Sequence, residues 1–265
     1  ENGMCKPSVD ADDENVLERY AELCDKYKVS MENEGTKIDT YLNNMRNLYA
    51  GMTAVLLEND FWRVLVLPES NAKVVEMTYK PTGRNVIQPS RSLDRFRFED
   101  WVRQGDGPKT GGILPYKVIA KTSTEMVAAL TAKDGAKIKR TVSLVGDGIR
   151  FETVLQAEEA RPFNFLVHPE YDPGSSSYDP QEISLYVKGE EWLHANKGWV
   201  NAKPTDDQNA IIKEALKGGA IAYFNQKENF GVEQRFEPED FEDINIFWSP
   251  ERIQINLEMT PTVKK

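Results

Sequence analysis

The chain has 265 residues, of which 40% are hydrophobic and 29% charged. That is ordinary for a globular protein and long enough for one large or two small domains. A net charge of −10 argues against double-stranded nucleic acid and anionic membrane surfaces as partners, because the chain has no basic excess to neutralise them.

No apolar run approaches the roughly 18–20 residues that cross a bilayer. The opening Glu1-Asn2-Gly3-Met4-Cys5-Lys6-Pro7 has no apolar signal-peptide core, so no membrane insertion is expected. A start at Glu1 fits a processed chain or a piece of something longer. Cys5 and Cys24 have neither CxxC spacing nor nearby His, so they read as two separate thiols or as one disulfide, not as a zinc site.

Residues 12 to 52 contain no Pro and only Gly35 as an interior glycine before Gly51. Apolar residues recur in three- and four-residue steps at Val16, Tyr20, Leu23 and Tyr27, then at Ile38, Leu42, Met45, Tyr49 and Met52. This spacing predicts two helices, or one kinked helix, with a break near Glu34-Gly35. Asp10, Asp12, Asp13 and Glu14 sit where negative charge favours a helix N-terminus. A calcium loop starting at Asp10 fails, because Asn15 and Ala21 stand where Gly and Glu are needed.

From Thr53 onward the runs become short, β-rich and often alternating. The predicted strands are Thr53–Leu57, Phe61–Leu67, Lys73–Tyr79, Tyr116–Lys121, Thr124–Ala132, Lys137–Val145 and Ile149–Ala157, followed by Pro162–Val167, Ile183–Val187, Ala220–Phe224, Val232–Phe236, Ile244–Trp248 and Arg252–Met259. Pro81-Thr82-Gly83, Lys133-Asp134-Gly135 and Gly146-Asp147-Gly148 mark turns between them. Only Asp207–Lys217 reads as a second helix. Gln88–Gly112, Asp172–Gln181 and Glu190–Asp207 read as long loops, of a length often tied to function. The pattern predicts a mainly β, antiparallel sandwich over residues 53–265 behind a helical leader at 1–52.

The sequence has no GxxxxGK[ST], GxGxxG, GxSxG or HExxH motif. Its two histidines, His168 and His194, cannot build a multi-His metal centre, so no metal or cofactor is expected. The remaining pieces suit carbohydrate. The Glu190–Asp207 loop carries Trp192, His194 and Trp199, and flat aromatic faces beside polar groups match a sugar's alternating C–H and O–H surfaces. Packing of the loop onto the sandwich is the competing reading of these residues.

His168 opens His168-Pro169-Glu170-Tyr171. Pro169 biases it to extended backbone at a strand end, and an imidazole there is a usable general acid or base. Counting by twos along Arg252–Met259, Gln254, Asn256 and Glu258 share one face of a strand, and Ile253, Ile255, Leu257 and Met259 share the other. The polar row suits a cleft that binds hydroxyls, or a plain solvent-facing strand.

Phe61-Trp62-Arg63-Val64-Leu65-Val66-Leu67-Pro68-Glu69, leading to Thr82-Gly83-Arg84, is similar to the opening hairpin of galactose-mutarotase-like domains. His168-Pro169-Glu170-Tyr171 resembles the segment carrying that family's acid histidine, and Asn256-Leu257-Glu258-Met259-Thr260-Pro261 the segment carrying its base glutamate. The resemblance implies an antiparallel β-supersandwich with sugar in a cleft. It also implies His168 and Glu258 as catalytic acid and base of an aldose 1-epimerase (an isomerase). Glu170, Tyr171 and Asn256 of these segments, with Trp192, His194 and Trp199 of the aromatic loop, are the expected substrate contacts.

The chain departs from the family in having no His before His168 and in reading Gly111-Gly112-Ile113 where an Asn-Arg pair is sought. With the helical leader, this resembles the C-terminal sandwich of multi-domain, often bacterial, glycoside-hydrolase-like proteins. The leading expectation is therefore a sugar-binding or accessory module beside a catalytic domain, in a periplasmic or extracellular setting. An epimerase, a ligand-free spacer, and a hydrolase using Glu170, Asp172 and Glu258 are the alternatives.

Overall fold

The computed structural model describes residues 52, 54–87, 99–103, 115–131, 135–157, 161–162, 164–172, 183–194, 216–240, 243–249, 252–259 and 262–263. The predicted leader helices, both cysteines and Trp199 lie outside them, as does the predicted helix Asp207–Lys217 except for Leu216 and Lys217, which form a turn.

Nineteen strands follow along these residues: β1 Val55–Glu58, β2 Trp62–Leu67, β3 Lys73–Tyr79, β4 Arg84–Asn85, β5 Glu99–Arg103, β6 Lys117–Lys121, β7 Glu125–Thr131, β8 Lys137–Val145, β9 Gly148–Gln156, β10 Arg161–Pro162, β11 Asn164–His168, β12 Glu170–Tyr171, β13 Ile183–Lys188, β14 Trp192–His194, β15 Ala220–Asn225, β16 Phe230–Arg235, β17 Asp243–Ser249, β18 Arg252–Met259 and β19 Thr262–Val263. Lys73–Tyr79, Lys137–Val145 and Arg252–Met259 match the predicted bounds to the residue. Two predicted loops need correction. Glu99–Arg103 is a strand inside Gln88–Gly112, and Trp192–His194 is a strand that pairs with β13 inside Glu190–Asp207. Each is too short to show a period of two.

The chain divides into two compact units, residues 1–100, 112–161 and 263–265, and residues 101–111 and 162–262. In the first, β1-β2-β3-β4 form one sheet and β6-β7-β8-β9 another, each an antiparallel meander. β8 shows why. Ile138, Arg140, Val142 and Leu144 are buried, while Lys137, Lys139 and Val145 are exposed, as a strand covered on one face requires. The two sheets meet at their turns. The Asn59 side-chain amide donates to the Gly146 carbonyl at 3.0 Å and the Trp62 indole N–H to that of Asp147 at 2.7 Å.

β3 is buried on both faces, and it carries two charged residues, Lys73 at 4% and Glu76 at 0% exposure. The Thr78 hydroxyl donates to Glu76 Oε1 at 2.9 Å, and Arg63 Nε lies 3.7 Å from the same oxygen. A buried carboxylate is tolerated only with such partners. Arg140, also buried, donates to the Thr153 hydroxyl at 2.6 Å and stacks 5.1 Å from the centre of the Phe151 ring.

In the second unit, β14-β13-β15-β16 form one antiparallel sheet. The other is centred on β18, with β17 along one side and β11 and β12 along the other, and β5 beyond β11. β11 and β12 are two halves of one line of chain interrupted at Pro169, which has no N–H to give to a ladder. The core lies between these sheets. Tyr171 of β12 and Tyr223 of β15 are 4% and 1% exposed, with ring centroids 5.9 Å apart.

Gly219 turns the chain into β15 at φ +66, and a Cβ there would collide with the Phe236 carbonyl, whereas Gly83 has φ +66 with open space around it. Gly83→Ala is expected to cost about 1 kcal/mol from backbone strain alone. Gly219→Ala should cost clearly more, because the turn must also move. Urea denaturation of both variants checks the order.

Candidate functional site

The site follows from the register of β18. Leu166 pairs with Glu258 and Val167 with Leu257, while Glu170 pairs with Gln254 and Tyr171 with Ile253. The two ladders are in one unbroken register across Pro169, so His168 falls opposite Asn256. Cross-strand partners share a face, and so do residues two apart. His168, Glu170, Gln254, Asn256 and Glu258 therefore occupy one face of the sheet. His168 and Glu258 are diagonal neighbours, whose backbones lie about 7–8 Å apart in such a ladder. That spacing allows one small molecule to reach both positions.

β17 widens the same face. Asp243 pairs with Glu258, Asn245 with Asn256 and Phe247 with Gln254. Sequence reasoning missed these three. The signal was present, since Ile244, Ile246 and Trp248 alternate with them as the isoleucines of β18 alternate with its polar row.

The opposite face is apolar. Ile244, Ile246 and Trp248 pair there with Leu257, Ile255 and Ile253, and Ile253 pairs with Tyr171. Tyr171 is thus a core residue. Its hydroxyl donates to Gln234 Oε1 at 2.9 Å, and the Tyr223 hydroxyl donates to the Asp172 carbonyl at 2.9 Å. Burial pushes the Tyr171 phenol well above its ordinary value, since ionising it would strand a charge between two sheets.

Trp192 and His194 lie elsewhere. They pair with Lys188 and Tyr186, on the face of the β13–β15 sheet that carries Phe224 and not the buried Leu185, Val187, Ile221 and Tyr223. Trp192 is 41% exposed, with Lys188 Nζ 5.8 Å from its ring centre. The Tyr171–Tyr223 core separates this face from the one bearing His168 and Glu258. The structure brings together His168, Glu170, Asn256 and Glu258, turns Tyr171 inward, and sets Trp192 and His194 on the far side of the sandwich.

No family model matches the sequence, and no curated protein matches it significantly. Solved structures do. A galactose mutarotase related enzyme from Lactobacillus acidophilus superposes with a TM-score of 0.52 at 11% identity, over 77% of this chain and 85% of that one. A protein from Synechocystis sp. PCC 6803 does so with a TM-score of 0.56 at 14% identity, over 79% and 86%. The fold is galactose-mutarotase-like. At these identities the likeness concerns architecture alone, and the mutarotase-like sandwich agrees with the mainly β, antiparallel class read from the sequence.

The raised phenol of Tyr171 sets an alkaline limit. Its stabilising contribution is complete below its unfolded value of 10.0 and declines as pH rises beyond it, because only the unfolded chain then ionises freely. Denaturation midpoints should fall above about pH 10, and fall less steeply in Tyr171→Phe. That variant should start about 1 kcal/mol lower at neutral pH from the lost hydrogen bond. Equal alkaline slopes would contradict the assignment.

Proposed function

We propose that the polar face of β11, β12 and β18 is a carbohydrate-binding surface, and that the protein serves as a sugar-binding or accessory module, with a neighbouring catalytic domain of a glycoside-hydrolase-like protein as its partner. The observation that carries this reading is the register that gathers His168, Asn256 and Glu258 on one face. Amides and carboxylates are hydrogen-bonding groups suited to hydroxyls, and an adjoining imidazole both donates and accepts. Glu170 is part of this proposed surface. Tyr171 is left out because it is buried on the other face.

A second reading is favoured by the diagonal placement of His168 and Glu258. An aldose 1-epimerase needs a base to take the anomeric hydroxyl proton and an acid to protonate the ring oxygen. The C1–O5 bond then breaks, the aldehyde turns about its bond to C2, and the reverse transfers close the ring on the other side. Glu258 would take the first proton and His168 would give the second. The two act on neighbouring oxygens of one ring, which a pair on adjacent rungs of one sheet face is able to straddle.

Proton NMR on galactose, glucose, mannose and xylose with added protein separates the readings. Line broadening without faster exchange between anomers supports a binding module. Exchange above the buffer rate supports the epimerase, and His168→Ala or Glu258→Gln should then lower it by about 10²–10⁴-fold, the usual contribution of a positioned acid or base. In the binding case the same substitutions should weaken the broadening. Absence of both effects with every sugar overturns both readings.

A further inference from the structure

The face shared by β17 and β18 is longer than a monosaccharide needs. Phe247 and Gln254, Asn245 and Asn256, and Asp243 and Glu258 are successive directly opposed pairs on it. From Gln254 to Glu258 the strip runs about 14 Å at 3.4 Å per residue, with the two strands about 4.8 Å apart. A pyranose ring covers a fraction of that length. Every rung offers a hydrogen-bonding group, and one end adds an aromatic ring.

The chemistry narrows the occupant. A protein partner wants an apolar centre to its contact; among these six positions only Phe247 is apolar, and Leu166, opposite Glu258, is a second apolar position at the other end. Asp243 opposite Glu258 sets two carboxylates on facing positions, which costs stability when nothing lies between them. A ligand rich in O–H donors relieves this by donating to both, whereas an anionic ligand makes it worse. Glu170, opposite Gln254, adds a third carboxylate to the face, and Arg252, opposite Ser249, is its single basic position on β17 and β18.

We propose that this strip seats a linear, uncharged oligosaccharide along β17 and β18, with one sugar at the His168–Glu258 end and further units running towards Phe247. The proposal rests on the carbohydrate-binding reading above and extends it from a single sugar to a chain. Asn245, Phe247 and Asp243 become ligand contacts, with Phe247 as the stacking face and Asp243 as an acceptor of hydroxyl hydrogen bonds beside Glu258.

Titration calorimetry of the whole protein with maltose-, cellulose- and chitin-type series, from the monosaccharide to the hexasaccharide, tests it. In one series affinity should rise by roughly tenfold or more between the monosaccharide and the tetrasaccharide, the equivalent of one or two added hydrogen bonds or one stacked ring. Phe247→Ala and, separately, Asn245→Ala should bring the longer sugars down towards the affinity of the monosaccharide. Unchanged circular dichroism and thermal midpoint identify the variants that remain folded, and Asn245→Ser serves if either of the others does not. Monosaccharide binding with no gain from length overturns the extended strip and leaves the first reading intact. Equal binding of oligogalacturonate overturns the preference for uncharged chains. No binding of any saccharide overturns the strip and the reading on which it rests.

Discussion

The period of two along β18 constrains everything around it. Ile253, Ile255, Leu257 and Met259 must be covered, so the sheet lays that face onto the β13–β15 sheet, where Tyr171 meets Tyr223. Gln254, Asn256 and Glu258 are then committed to the other face, because a strand has no third direction. The partners follow. A shift of one residue between β18 and either neighbour would carry a hydrophobic row out of the core. The register that sets Ile246 and Trp248 opposite Ile255 and Ile253 therefore also brings Asn245 and Phe247 beside the polar row, and it sets His168 across from Asn256. The packing requirement and the composition of the candidate site are one constraint seen from two faces.

The first unit shows the other fate of a polar row. Arg63 lies across β2 and β3 from Thr78, and Glu76 is one rung away across from Leu65. Thr78 and Glu76 are buried and hydrogen-bonded to each other, and the half-buried Arg63 is held by Glu58 at 3.4 Å, with Lys80 on the same carboxylate at 2.8 Å. A bulge between Leu65 and Val66 lets Val75 in as an extra residue, which keeps both Glu76 and Val74 on their proper sides. Guanidinium, carboxylate and hydroxyl gather in one cluster there, whereas three carboxylates and one arginine hold positions on the β17–β18 face.

Much of the fold was legible because its strands alternate and its turns carry glycine. The β8–β9 hairpin turns at Gly146, with φ 59, where Gly146-Asp147-Gly148 announced it. Strands without a full period were not legible. Trp192–His194 is a short strand joined to β13 by the tight turn Gly189-Glu190-Glu191, and Glu99–Arg103 owes its extended state to pairing with β11 far along the chain, which leaves no local mark. The division into two units was hidden for the same reason, since β10 pairs with β19 about a hundred residues later. For the site, the polar row of β18 could be counted from the sequence. Its juxtaposition with His168 could not, because it depends on register.

The aromatic residues give the most instructive difference. Trp192 and His194 stand two residues apart in sequence and read, with Trp199, as sugar contacts alongside the pair His168 and Glu258. The sheet order separates them, because β14 is the outer neighbour of β13, and Trp192 and His194 stand opposite Lys188 and Tyr186 and not opposite the buried Val187. Lys188 takes the Trp192 ring as a cation–π partner. The aromatic residue that shares a face with His168 and Glu258 is instead Phe247, on a strand whose hydrophobic character conceals it among Ile244, Ile246 and Trp248. Aromatic content therefore identifies a candidate sugar surface only after the register has assigned each ring to a face. Here that assignment gives the β17–β18 face a row of amide and carboxylate positions with one aromatic position, Phe247, at its end.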